Sequence, residues 1–280
     1  MARINTKYQK NSANSRNSCL KTCNFAQKSD EQSMISKNQI KFVHQLELKK
    51  FRKQEGLFIA EGHKVVGDLL KAGYTPKQLF ATAEWIAANP VAGAIEVTND
   101  ELTKLSLQQH PQQVLALFPI PQAQPQLSIV NCKLSILLDN VQDPGNLGTI
   151  IRIADWFGID TIFCSEGTVD AWNPKVVQAT MGSIARVHLI YIDTMQLLDS
   201  LPKDFPVYGT FLDGENIYTQ ELSQQGLIVM GNEGNGISDA VRARVTHKLL
   251  IPDFHKGPTA DSLNVAIATA ITCSEFRRRG

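Results

Sequence analysis

The sequence predicts an α/β protein of two domains, a small α/β/α unit followed by a larger domain built on a mainly parallel sheet. In the second half, short apolar runs at 134–138, 161–164, 187–191, 207–210, 227–230 and 249–251 alternate with helical or turn sequence. That alternation is the pattern of a parallel sheet covered on both faces. Between the halves, Pro119, Pro121, Gln122, Gln124, Pro125 and Gln126 break every periodicity. A chain of 280 residues has room for two modest cores.

Residues 1–34 read as a disordered basic tail, because Met1 to Ser29 holds six Lys or Arg, no acid, and many Asn, Ser and Gln. It is open whether the tail adds salt-sensitive attraction to phosphate, has no role, or is a transit peptide lacking an apolar face. The first domain spans 35–120. Ile40, Val43, Leu46, Leu48 and Phe51 supply spaced apolar positions for an early helix. Lys41, Lys49, Lys50, Arg52 and Lys53 would give it a basic flank, either a phosphate-binding surface or a solvated face. Strands are expected at 57–60 and 79–81, with a helix over 64–71 that stops at Ala72-Gly73, and the domain ends with the apolar run 114–118. A semi-rigid linker follows over 121–131 and the second domain over 132–280, which should stand as a folded unit of its own.

Composition narrows the function classes. The chain is 43% hydrophobic and 20% charged with a net charge of +1, the balance of a soluble globular protein. It has no apolar run approaching the roughly 20 residues of a membrane span, so a cytoplasmic protein is expected. Five cysteines without paired metal-ligand spacing fit a reducing compartment, and Cys19 with Cys23 makes a poor zinc site, so no metal is expected.

Three segments of the second half carry the candidate chemistry. Asp139 to Gly158 reads as strand, turn and helix. Pro144 and Gly145 form the turn, Leu147, Ile150, Ile151, Ala154 and Phe157 form the stripe, and Arg152 lies off it. Residues 227–238 deliver a glycine-rich loop with one carboxylate, Glu233. Its glycines, Gly231, Gly234 and Gly236, are in the wrong order for a dinucleotide fingerprint, and no phosphate-loop Lys follows. A nucleotide-dependent oxidoreductase is disfavoured on that ground. The third segment runs from Ile251-Pro252 through a loop to Ser262-Leu263-Asn264, with Ser262 a natural N-cap for an Ala- and Ile-rich helix ending in Arg277, Arg278 and Arg279.

In order and spacing these segments resemble the three motifs of the SpoU (TrmH-like) class of the SPOUT RNA methyltransferases. Asn146 and Arg152 match the first motif, Gly231-Asn-Glu-Gly-Asn-Gly236 the second, and Ile251-Pro252 with Ser262-Leu-Asn264 the third. The resemblance covers about residues 132 to 280. The pattern at Lys37-Asn38, Lys49 to Arg52 and Ile59 to Gly62 is similar to the ribosomal-protein-like substrate-binding domain that often precedes it. The loop between Pro252 and Ser262 is longer than usual.

The resemblance implies a deep trefoil knot, a rare exception among folds, and an obligate homodimer. It also implies a site for S-adenosyl-L-methionine at Gly231, Ile251 and Leu263, with Thr210 and Met230 as further candidates. The reaction implied is methyl transfer to a ribose 2′-hydroxyl of structured RNA, with ribosomal RNA favoured. Transfer RNA, or a non-catalytic role in ribosome assembly, stands as the alternative. Arg152 is the implied catalytic residue, with Asn146, Glu233, Ser262 and Asn264 orienting it, and Lys49, Lys50 and Arg52 as RNA contacts. Deprotonating a guanidinium at neutral pH costs on the order of 9 kcal/mol. Stabilisation of a developing alkoxide is therefore preferred for Arg152, with transient general-base action as the other role.

Overall fold

A computed structural model describes residues 35–121, 134–255, 257 and 260–278. The predicted tail over 1–34 and all but the first residue of the predicted linker lie outside the described residues.

The basic stretch folds as two helices rather than one. α1 (Lys37–Gln45) begins in a capping box, in which the Ser36 side chain accepts from the Gln39 N–H and Gln39 answers the Ser36 N–H. α2 (Lys49–Glu55) follows after a break and ends at Gly56, whose φ of 63° closes it in the left-handed region. Strands β1 (Leu57–Glu61), β2 (Gln78–Ala81), β3 (Ile95–Glu96) and β4 (Val114–Pro119) form a mixed sheet in the order β1-β4-β2-β3. Alternation along these strands sends Leu57, Ile59, Phe80, Leu115 and Leu117 to one face. There they meet Val43 of α1 and Leu102 and Leu105 of α5 (Asn99–Leu105). Phe58, Ala60, Leu79, Ala116 and Phe118 face α3 (His63–Lys71) and α4 (Ala83–Ala88) on the other.

The second sheet has six strands, all parallel, in the order β10-β8-β9-β5-β6-β7. They are β5 (Leu134–Leu138), β6 (Thr161–Cys164), β7 (His188–Tyr191), β8 (Val207–Asn216), β9 (Gly226–Met230) and β10 (His247–Leu250). β8 is longer than the sequence suggested, because its register with β10 slips between Lys248 and Leu249 and pairing resumes at Glu215. One face packs on α6 (Pro144–Trp156) and α10 (Val265–Arg278), through Leu147, Ile150, Ile151 and Ala154 of the first and Val265, Cys273 and Phe276 of the second. The other face packs on α8 (Thr194–Asp199) and α9 (Asp239–Arg242) through Leu197, Leu198 and Val241. α6 also lies so close to α7 (Pro174–Ala179) that a Cβ on Gly148 would sit 2.4 Å from that of Ala179. Its open C-terminus is closed by Arg277 of α10, which donates to the carbonyls of Phe157 and Gly158.

Two expectations fail here for physical reasons. Arg52 is not on the solvated flank but 1% exposed, with its guanidinium donating to Asp170 and to the carbonyls of Leu46 and Glu47. An unpaired guanidinium is too costly to bury, so the acceptor set that surrounds it explains its position. The halves are also not separate cores. Val177 and Ile184, from the second half, are buried in the core of the first, and the Trp172 ring lies tilted against Phe58 with centroids 4.7 Å apart. A fragment lacking the first domain would expose that apolar face.

Removing the Arg52 guanidinium strands Asp170 and two carbonyls, and loss of one partner from a buried pair costs about 3 kcal/mol or more. Arg52→Ala should therefore lower unfolding stability by that amount in a denaturant titration. Lys49→Ala and Lys50→Ala, on exposed positions, should stay within about 0.5 kcal/mol of wild type.

Candidate active site

The three segments singled out in the sequence follow the C-terminal ends of β5, β9 and β10 on one parallel sheet, the edge where ligands bind in open α/β sheets. β5 runs into Asp139-Asn140, and the chain turns through Asp143, the N-cap of α6. The Asp143 carboxylate accepts from the Asn146 N–H at 2.8 Å, and Pro144 occupies the first helical turn, where a missing N–H costs nothing. β9 delivers Gly231 and the loop behind it. Asn232 and Gly236 exchange two backbone hydrogen bonds, and the Asn232 Oδ1 accepts from the N–H groups of Gly234 and Asn235. A Cβ on Gly231 would meet the Gly236 carbonyl carbon at 2.2 Å, so only glycine fits there.

One chain of hydrogen bonds ties the segments together. Glu233 accepts from the N–H groups of Gln142 and Asp143 at 3.1 Å each, and from Asn146 Nδ2 at 3.0 Å. Asn146 Oδ1 accepts in turn from Asn264 Nδ2 at 2.9 Å. Asn264 Oδ1 accepts from the N–H groups of Ala266 and Ile267. Asn264, not Ser262, thus caps α10. The helix starts at Val265, so only the residue immediately before it reaches those donors. Ser262 is exposed on the approach to the helix.

Burial pushes the Glu233 carboxyl upward, but hydrogen bonds from Asn146, its own N–H, Gln142 and Asp143 outweigh this and hold it below the usual carboxylate range. A second carboxylate that the sequence reading missed braces the same junction. Asp139, 3% exposed, accepts from the Ser238 N–H at 2.7 Å, while Asn232 Nδ2 donates to the Asn140 carbonyl. An acid and an Asn directly after an apolar strand were the available signals.

Arg152 is exposed on α6 and has no hydrogen bond or ion pair to a described residue. Six residues on a helix turn it about a third of a revolution from Asn146, so the two do not share a face. The predicted cofactor residues are spread over three neighbouring strands and the approach to α10. Thr210 lies in β8 with its hydroxyl 3.9 Å from the Met230 sulfur, Met230 and Gly231 are buried at the end of β9, and Ile251 is half-buried just beyond β10. Leu263, before α10, is 50% exposed. Lys49 and Lys50 are exposed on α2, whereas Arg52 is withdrawn as described above. No group of residues able to hold a metal ion occurs among the described residues. No described helix is long and apolar enough to cross a membrane.

Residues 133–274 match the family model of the SpoU rRNA Methylase family. The chain belongs to that family. Residues 37–116 match the model of the MRM3-like substrate binding domain. Among curated proteins, the 23S rRNA guanosine 2′-O-methyltransferase RlmP of Bacillus subtilis is 31% identical over 249 residues, spanning 86% of this chain and 97% of that protein. Two solved structures are similar over nearly the whole chain. A protein of Porphyromonas gingivalis described under the TrmH family of RNA methyltransferases superposes with a TM-score of 0.80 at 42% identity, covering 89% of this chain and all of that one. An AdoMet-bound rRNA methyltransferase from Sinorhizobium meliloti superposes with a TM-score of 0.77 at 30% identity, covering 88% and 97%.

Glu233→Gln turns an acceptor surrounded by three donors into a partial donor, so it should lower stability by about 1 kcal/mol at neutral pH. Because the folded carboxyl is depressed, its contribution is present above the unfolded value near 4.5 and is lost as pH falls through the folded value. The gap in melting temperature between wild type and variant should therefore narrow below about pH 4.5.

Proposed function

We propose that the protein transfers a methyl group from S-adenosylmethionine to a ribose 2′-hydroxyl of structured RNA, with ribosomal RNA as the substrate. The observation that carries this is the Glu233–Asn146–Asn264 chain, which joins all three SpoU motifs at one place in the fold. A relative named as a 23S rRNA 2′-O-methyltransferase, and a similar structure named as an AdoMet-bound rRNA methyltransferase, support the substrate and the cofactor. Transfer RNA is the competing substrate. The working protein is a cytoplasmic homodimer in this reading. Exposed Trp156 at the end of α6 and exposed Ile267 near the start of α10 are apolar surface that a second copy could cover. Threading of the segment that follows β9 into a trefoil knot belongs to the same reading. So do the domain limits, a substrate reader over 35–120 and a methyltransferase domain over 132–280.

Gly231, Ile251 and Leu263, with Thr210 and Met230, would hold the cofactor. When bound it supplies an electrophilic methyl group with a good leaving group behind it. What remains for the chain is to place the hydroxyl and stabilise the charge that develops on its oxygen. Arg152, exposed and unpaired among the described residues, is the cation for that task. Asn146, Glu233 and Asn264 fix the helix start and the loop against which the substrate is set, and Ser262 lies beside them. Lys49 and Lys50 would meet phosphate.

The purified protein should methylate ribosomal RNA from a strain lacking its gene, at a ribose mapped by its resistance to alkaline cleavage. S-adenosylhomocysteine, unlike NAD, should raise its melting temperature. Arg152→Ala should cut turnover by more than about tenfold, or 1.4 kcal/mol, with cofactor affinity unchanged. A double Lys49→Ala, Lys50→Ala variant should bind RNA with a log-affinity against log-salt slope shallower by about 0.7 to 0.9 per lost contact. Turnover retained without Arg152, or methylation of transfer RNA alone, would contradict the corresponding part of the reading.

A further inference from the structure

On α6, Asp155 follows Arg152 at the i,i+3 spacing, at which an acid and an arginine become neighbours on a helix surface. An exposed arginine beside such a partner would spend part of its time paired and folded back on its own helix. Yet Arg152 has no ion pair among the described residues, because Asp155 is already engaged. Arg186 grips it with both Nε, at 3.1 and 3.0 Å from the two carboxylate oxygens, and Nη2, at 2.7 Å.

Arg186 is itself held from the other domain. Its Nη1 donates to Asp68 of α3 at 3.1 Å, and Lys64 completes the set at 2.5 Å from the same Asp68 oxygen. Two cations and two carboxylates thus form a balanced cluster across the domain boundary, whose acidic end lies one helical turn from Arg152.

We propose that Arg186 is a positioning residue for methyl transfer, which occupies Asp155 and thereby keeps Arg152 free to meet RNA. The inference rests on the role given to Arg152 above. It adds a function for the docked first domain, because Asp68 holds Arg186 in place and so couples correct docking to the availability of Arg152.

The test uses the full-length protein and three variants. Arg186 is 45% exposed and Asp68 keeps Lys64 as a partner, so Arg186→Ala should still fold, which cooperative melting checks. In Arg186→Ala, Asp155 keeps, among the described residues, only its hydrogen bond from Ser183 and its charge pairs with Arg152, so kcat should fall about two- to fivefold, the effect of an exposed ion pair, with cofactor and RNA affinities unchanged. Adding Asp155→Asn to that variant should restore wild-type kcat, and Asp155→Asn alone should keep it. A cluster that served only to hold the domains together would behave in the opposite way. Asp155→Asn would then be as impaired as Arg186→Ala and the double variant no better, which would overturn the proposal. Unchanged kcat in Arg186→Ala would overturn it equally.

A second readout needs neither RNA nor turnover. The rate at which phenylglyoxal modifies Arg152, followed by peptide mass spectrometry, should drop in Arg186→Ala and recover in the double variant. Equal rates in all variants would sink the proposal. If the wild type fails to methylate RNA, the functional reading falls and this labelling alone decides whether Arg186 frees Arg152.

Discussion

The arrangement of the site depends on one short chain of hydrogen bonds, from Glu233 through the Asn146 amide to Asn264. Each member does two jobs. Glu233 accepts the free N–H groups that precede α6, Asn264 accepts those that open α10, and Asn146 uses its amide nitrogen toward one and its oxygen toward the other. Only a side chain with a donor and an acceptor at one tip can bridge a carboxylate and another amide in this way. Two helix starts and the loop after β9 are thereby fixed together.

A second constraint is electrostatic and joins the domains. Arg52 and Arg186 each reach across the boundary, the first buried against Asp170 and the second half-exposed between Asp68 and Asp155. They flank an apolar contact in which Val177 and Ile184 complete the core of the first sheet. Polar groups set the angle of a contact that apolar area makes favourable. Any RNA held on the exposed Lys49 and Lys50 would then lie at a fixed offset from Arg152.

Much of this was legible in the sequence, and the failures have physical causes. The parallel strands were readable because a strand covered on both faces is an uninterrupted apolar run, as at 134–138 and 227–230. Asn146, Glu233 and Asn264 were readable as members of motifs, but their mutual hydrogen bonds join residues 87 and 118 positions apart and leave no local trace. Arg52 was misplaced because helical spacing says which residues share a face and not what covers that face. Its partner, Asp170, lies in the other domain. Ser262 looked like a cap because serine commonly is one, and the decisive fact, that α10 begins at Val265, is a boundary that composition does not mark.

The central claim, that the Asn146 amide assembles the three segments into one cofactor site, is tested most directly by calorimetric titration of Asn146→Ala with S-adenosylhomocysteine. The account predicts affinity weaker by at least about tenfold, or 1.4 kcal/mol, in a protein that still melts cooperatively. Wild-type affinity together with wild-type turnover in that variant would contradict it.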